Sequence, residues 1–160
     1  MDAPAQFTHL NSLGEAHMVD VTSKTPTVRQ ASARATLTCL PETIAAIKDS
    51  KMPKGDVLAV ARIAGISATK QVPQLLPLAH TIGIHGVNVE IELHEDSVLI
   101  SSTVRTADRT GVEMEALTAV TVSALAFVDM VKGVDRTVAI ESAYITAKSG
   151  GRSGDWVRPQ

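Results

Sequence analysis

Residues 86–106 read GVNVEIELHEDSVLISSTVRT. Val87, Val89, Ile91 and Leu93 alternate with Asn88, Glu90 and Glu92, which is the period of a strand with one apolar face. HEDS (94–97) supplies a four-residue turn, and SVLISSTVRT reads as the returning strand. The stretch is therefore a β-hairpin. A lone hairpin is marginal in water, so the flanking segments have to extend it and cover its apolar face.

On the N-terminal side, TVRQASARATLTCL (27–40) alternates loosely and carries Thr and Val, as a strand does. Pro41 suits the first position of a short helix, PETIAAIKDS. After the loop KMPKGD, residues 56–70 place Val57, Val60, Ala61, Ala64 and Ala68 at helical spacing, and the small residues predict close helix packing. Pro73 and Pro77 make QVPQLLPLAH a kinked or extended connection. On the C-terminal side a helix runs from about Gly111 to Lys132, and TVAIESAYITAK (137–148) is a last strand. The order β-α-α-β-β-α-β is close to the split βαβ arrangement, so the expected fold is α+β and ferredoxin-like, an antiparallel sheet with helices packed on one face. The other face is expected to be partly apolar and to need cover, which suggests oligomerisation. Residues 1–26 read as an irregular arm and 149–160 as a flexible Gly-rich tail of a single domain.

The bulk composition narrows the function. The 160 residues are 44% hydrophobic and 20% charged, in the range of soluble globular domains. Aromatics make up only 2%, so base-stacking platforms for single-stranded nucleic acid are nearly excluded. A net charge of −2 without a basic block leaves no footprint for DNA or RNA. Cys39 is the sole cysteine, so neither an intramolecular disulfide nor a cysteine metal cluster is expected. MDAPAQFTHL lacks the pattern of a signal peptide, and no apolar run approaches the length of a membrane span, which reads as cytoplasmic.

Two acids, Glu113 and Glu115, stand at the mouth of the apolar helix, in TGVEMEA (110–116). Thr110 and Glu113 match a capping box, which is enough to explain Glu113. Glu115 lies roughly 200° further around the helix, so a cap does not explain both. At the far end Asp129 and Lys132 are three apart and share a face. They read as an intrahelical ion pair or as a carboxylate and an ammonium held together for proton transfer. Glu115 and Asp129 are separated by ~21 Å along the helix axis, so one small reacting group does not meet both. If both ends are catalytic, either two subunits contribute one end each or the ligand is long.

The weaker signals each have a plain alternative. His80, in PLAH (77–80), is a loop histidine or a phosphate contact or general acid. Lys54 in PKGD is a solvated turn lysine or an anion contact. KSGGRSG (148–154) is a mobile tail or a phosphate-embracing loop with Lys148 and Arg152 as its charges; it is not a Walker A sequence. The five histidines lack HExxH or other paired spacing, so no metal site is read.

Taken in order, GEAHMVDV, PKGDVLAVARIAGI, LPLAH, RTGVEMEALTAVTVSAL, DMVKGVD and AKSGGRSG resemble the cyclic pyranopterin monophosphate synthase family of molybdenum-cofactor biosynthesis, from about residue 8 to 155. The resemblance implies a lyase that converts 3′,8-cyclo-7,8-dihydro-GTP into cyclic pyranopterin monophosphate with release of pyrophosphate. It implies a ferredoxin-like fold and a homohexamer, a trimer of dimers, with active sites at the dimer interface. It implies Asp129 and Lys132 as the catalytic acid-base pair. Leu78, Ala79, His80, Glu113, Met114 and Glu115 fall on the substrate pocket, and Lys54, Lys148 and Arg29 on residues that hold the substrate or its phosphates. No resident cofactor is implied; Mg2+ accompanying the substrate phosphates is compatible with it. The family usually reads PLCHP where this chain has Ala79 and Thr81, so thiol chemistry is ruled out at that position. Fold alone does not separate an enzyme from a ligand-binding module or a pathway scaffold. The presence of Asp129, Lys132, His80 and both acids favours the enzyme.

Overall fold

The fold is that of a computed structural model, which describes residues 9–159. The first eight residues of the expected arm, and Gln160, lie outside it. Nine elements follow in order: β1 (Thr27–Thr38), α1 (Pro41–Lys48), α2 (Val57–Ala68), α3 (Val72–Leu75), β2 (Gly86–Leu93), β3 (Ser97–Asp108), α4 (Glu113–Val131), β4 (Ala139–Ser149) and β5 (Trp156–Val157). A 3-10 turn, Thr69–Gln71, joins α2 to α3. The strands form one antiparallel sheet in the order β2-β3-β1-β4-β5. Strands β1 and β2 are separated by β3, the split βαβ arrangement that the element order predicts.

The hairpin is as read. Leu93 pairs with Val98, and the His94 N–H donates to Ser97 O at 2.9 Å to close the turn. The alternation of β1 sends Ala31, Ala33, Ala35 and Leu37 inward, and β3 adds Val98, Ile100 and Val104. Three alanines in the central strand keep that face shallow, so α4 lies close to it and buries Ala116, Ala119, Val120, Phe127 and Val131 there. Contrary to the expectation that no apolar run approaches a membrane span, α4 is long enough and, at a mean hydropathy of 1.6, apolar enough to cross one. Half of it is instead buried on the sheet and α2, which makes it the core helix.

The outer sheet face is mixed and partly apolar, as expected: Gln30, Ser32, Arg34 and Thr36 face outward on β1 beside Ser101, Thr103 and Arg105 on β3, and Val28 and Leu99 alternate onto the same face, Val28 being 74% exposed. Hydroxyl and amide groups there bond across strands, as in Ser32 Oγ to Thr103 Oγ1 (3.1 Å) and Arg105 Nε to Gln30 Oε1 (2.7 Å). Further exposed apolar residues lie on the helices, at Val60, Ile63 and Leu125, and on the edge strand β5, at Val157. Two further expectations are corrected. Val60 does not face the core; Gly65 does, where α2 crosses α4. Finally, the Gly-rich tail is not wholly irregular, since Trp156 and Val157 pair with Lys148 and Ala147 of β4.

Candidate functional site

The C-terminal end of α4 carries a three-residue charge cluster. Asp129 receives Lys132 Nζ at 2.7 Å and Lys54 Nζ at 3.0 Å. Lys54, from the loop before α2, also donates to the Asp129 backbone O at 2.7 Å, so it caps a last-turn carbonyl of α4. The loop is set by Asp56, which accepts from Ala59 N at 2.9 Å and starts α2. Hydrogen bonds from Lys132, then from Lys54, hold the Asp129 carboxyl below its ordinary range. All three side chains are about half exposed, and exposed ion pairs contribute little to stability. Folding alone does not explain two lysines converging on one acid here.

Just beyond, Asp135 is buried and fixes the turn that follows α4. It accepts from Leu40 N (2.9 Å), Thr137 N (2.8 Å) and Thr137 Oγ1 (2.7 Å). Burial opposes its ionisation, but these donors outweigh burial and hold it at about 2. Cys39 packs against the same carboxylate at 3.5 Å. Burial, then Asp135, pushes the thiol up to about 12, so it is not a nucleophile.

The N-terminal end of α4 opens into a cavity of about 530 Å³. It gathers Leu78, Ala79, His80, Glu113, Met114 and Glu115, all singled out from sequence. The capping box does not form: Val112 is the N-cap and no side chain caps it. Glu113 instead turns toward Lys148 of β4, at 3.6 Å. Glu115 is only 4% exposed, and burial, with the charge of Glu113 adding to it, raises its carboxyl to about 7. His80 donates Nε2–H to Val19 O at 2.6 Å, which fixes its tautomer and ties the N-terminal arm across the cavity.

Cations converge beside this cavity. A smaller space of about 220 Å³ is shared by Glu113, Lys148, Arg29 and the backbone at Gly150. Another, about 520 Å³, is lined by Lys24, Arg29, Gly151 and Arg152. Arg29 donates Nε to Asp108 O at 3.0 Å, which leaves its two terminal nitrogens to other partners. Gly150 and Gly151 have φ of +82° and +76°, and a Cβ at Gly151 would lie 2.2 Å from an Arg29 nitrogen. Only glycine lets the tail fold over that guanidinium.

The predicted residues therefore fall into two groups. Leu78, Ala79, His80, Glu113, Met114, Glu115, Lys148 and Arg29 come together at one end of α4, with Asp129, Lys132 and Lys54 at the other. Lys54 stands apart from Lys148 and Arg29, with which the sequence reading had grouped it. Lys24 was missed, since an isolated lysine in an irregular arm carries no periodic or motif signal. Its place is set by the Arg109 Nε–H donated to Lys24 O at 3.0 Å. Among the described residues no group of three His, Cys, Asp or Glu is placed to hold a metal ion.

Comparison with known proteins gives one consistent result. A family model described as the MoaC family matches residues 18–151. The chain is 48% identical over 161 residues to a cyclic pyranopterin monophosphate synthase of Nocardioides sp., covering 99% of each. It is similar to the same-named protein of Streptomyces coelicolor, with 47% identity over 157 residues, 98% of this chain and 92% of that one. The Chloroflexus aurantiacus protein of that name is 48% identical over 161 residues, covering 99% of each.

Proposed function

The chain belongs to the MoaC family, and from that premise we propose that it makes cyclic pyranopterin monophosphate from 3′,8-cyclo-7,8-dihydro-GTP, at a site built from two copies of the chain. It is an enzyme of molybdenum-cofactor biosynthesis whose substrate is a small nucleotide-derived molecule. In this reading Asp129 and Lys132 move protons during ring opening and rearrangement, and Lys54 keeps the acid ionised between two ammonium groups. Arg29, Lys148 and His80 take the triphosphate, joined by Lys24 and Arg152. Leu78, Ala79 and Met114 wall the ring, and Glu113 and Glu115 hydrogen-bond it. Ala79 is a wall position, where a small side chain keeps the shape and no thiol is required. Cyclic phosphate formation breaks the α–β phosphoanhydride, and pyrophosphate leaves as the second product. No resident cofactor is needed, and magnesium enters with the substrate phosphates. A nucleotide-derived substrate is in keeping with a cytoplasmic enzyme.

The observation that carries the reading is the separation of the two groups, some 21 Å apart along one helix. A second copy whose α4 lay antiparallel beside this one would bring one end of each helix to the other. A homohexamer, a trimer of dimers, is the assembly in which such pairs occur.

Turnover tests it. The purified protein, given the cyclised dihydro-GTP, should release pyrophosphate and form the pterin product. Lys132→Ala should lower kcat by about 10²–10⁴-fold. Binding without turnover by the unaltered chain would instead make it a ligand-binding module.

A further inference from the structure

Glu113 and Glu115 share one cavity but not one environment. Glu113 is partly exposed and faces the Lys148 ammonium at 3.6 Å. Glu115, two residues on, lines the same cavity and is 4% exposed. Among the described residues no lysine, arginine or histidine nitrogen lies within 4.0 Å of a Glu115 carboxyl oxygen. The charged and titratable groups around it come from every neighbouring element: His9 and Lys24 from the arm, His80 from the 76–85 segment and Arg152 from the tail. Lys148 of β4 is taken by Glu113, and the His80 Nε2–H is taken by Val19 O. A buried carboxylate without a counter-charge is costly, and a neutral carboxyl is the form such a place favours.

We infer that Glu115 meets the substrate as a neutral carboxylic acid, its O–H donating to the carbonyl oxygen of the guanine-derived ring, while Glu113 stays a carboxylate and accepts from the ring's N–H groups. The two acids then read the acceptor and the donors of the ring separately, since a carboxylate only accepts and a carboxylic acid also donates. This rests on the synthase reading above and specifies which atoms of the substrate each acid takes. Burial and the neighbouring Glu113 raise the carboxyl to about 7, with only its own backbone N–H pulling the other way. Glu115 is therefore about half protonated near neutral pH and largely protonated a pH unit below it.

The test uses the full-length protein with carboxyl-13C glutamate, titrated by NMR, beside pH profiles of kcat/KM for the unaltered chain and Glu115→Gln. One glutamate should titrate near pH 7 in the unaltered chain, and that signal should be missing in Glu115→Gln. Above that midpoint kcat/KM of the unaltered chain should fall about tenfold per pH unit. Glu115→Gln, whose amide donates at every pH, should lose that limb and keep measurable turnover. A Glu115 midpoint in the ordinary carboxylate range with full turnover overturns the inference alone. So does a Glu115→Gln variant that keeps the same alkaline limb. A chain that turns nothing over at any pH removes the synthase reading and the ring contact with it, while a midpoint near 7 would still establish the neutral carboxyl.

Discussion

Two carboxyls of the same helix face opposite electrostatic problems. Asp129 is surrounded by donors and stays ionised; Glu115 is buried with no cation paired to it among the described residues and resists ionisation. The contrast has consequences for stability. The folded-state value of Glu115 lies above the unfolded one, so the protonated form favours folding. That stability is fully present below about 4.5 and is lost as pH rises through about 7. Glu115→Gln removes this dependence. Relative to Glu115→Gln, the unaltered chain should lose on the order of 3 kcal/mol of unfolding free energy between pH 4.5 and pH 8, read from urea denaturation at each pH. Asp135 has the opposite sign. Its folded-state value, about 2, lies below the ordinary 3.8, so its contribution is present above 3.8 and fades as pH falls toward 2. Asp135→Ala leaves Leu40 N and Thr137 N without their acceptor and should cost on the order of 3 kcal/mol at neutral pH, measured by the same denaturation. Neither role was legible in the sequence. Asp135 bonds to a residue 95 positions away, and Glu115 is defined by what surrounds it rather than by its neighbours in the chain.

Among the elements, the hairpin was legible because a strand with one buried face has to alternate, and Val87 to Leu93 alternate without a break. The start of α4 was not. Thr110 and Glu113 have the spacing of a capping box, but Lys148 on β4 competes for the Glu113 carboxylate and wins. A local pattern cannot register a partner that the fold brings in from another strand. The face of α2 was misjudged for a related reason. The contact is made by the smallest residue, Gly65, where a Cβ would lie 2.0 Å from Ser123 Oγ and 2.7 Å from Ala119 O. Glycine has no side chain to contribute to an apolar pattern, so Val60 was assigned inward in its place. Gly65→Ala should force α2 off α4 and cost about 1–3 kcal/mol, seen as a fall in Tm of several degrees by calorimetry. Ser123, whose hydroxyl donates to Ala61 O at 2.9 Å, marks the same crossing from the other helix.

At the scale of the molecule, one chain carries the two groups of candidate residues and keeps them apart. The charge cluster of Asp129, Lys132 and Lys54 and the cavity at Glu113 and Glu115 lie at opposite ends of α4, and exposed apolar residues occur on both the helices and the sheet. A two-fold pairing of chains would complete two sites at once. The fourteen-residue spacing of Glu115 and Asp129 already posed the choice between a second copy and a long ligand; the surface a second copy would use was not legible. The decisive measurement mixes Glu115→Ala and Lys132→Ala chains, each inactive alone, by dissociation and reassembly in equal amounts. With sites shared between chains, half of the random pairs are hybrids and each hybrid regains one intact site of two, so about a quarter of full activity should return. No recovery, with hybrid assemblies verified by mass spectrometry, would mean that each site draws Glu115 and Lys132 from the same chain, and it would contradict the shared site.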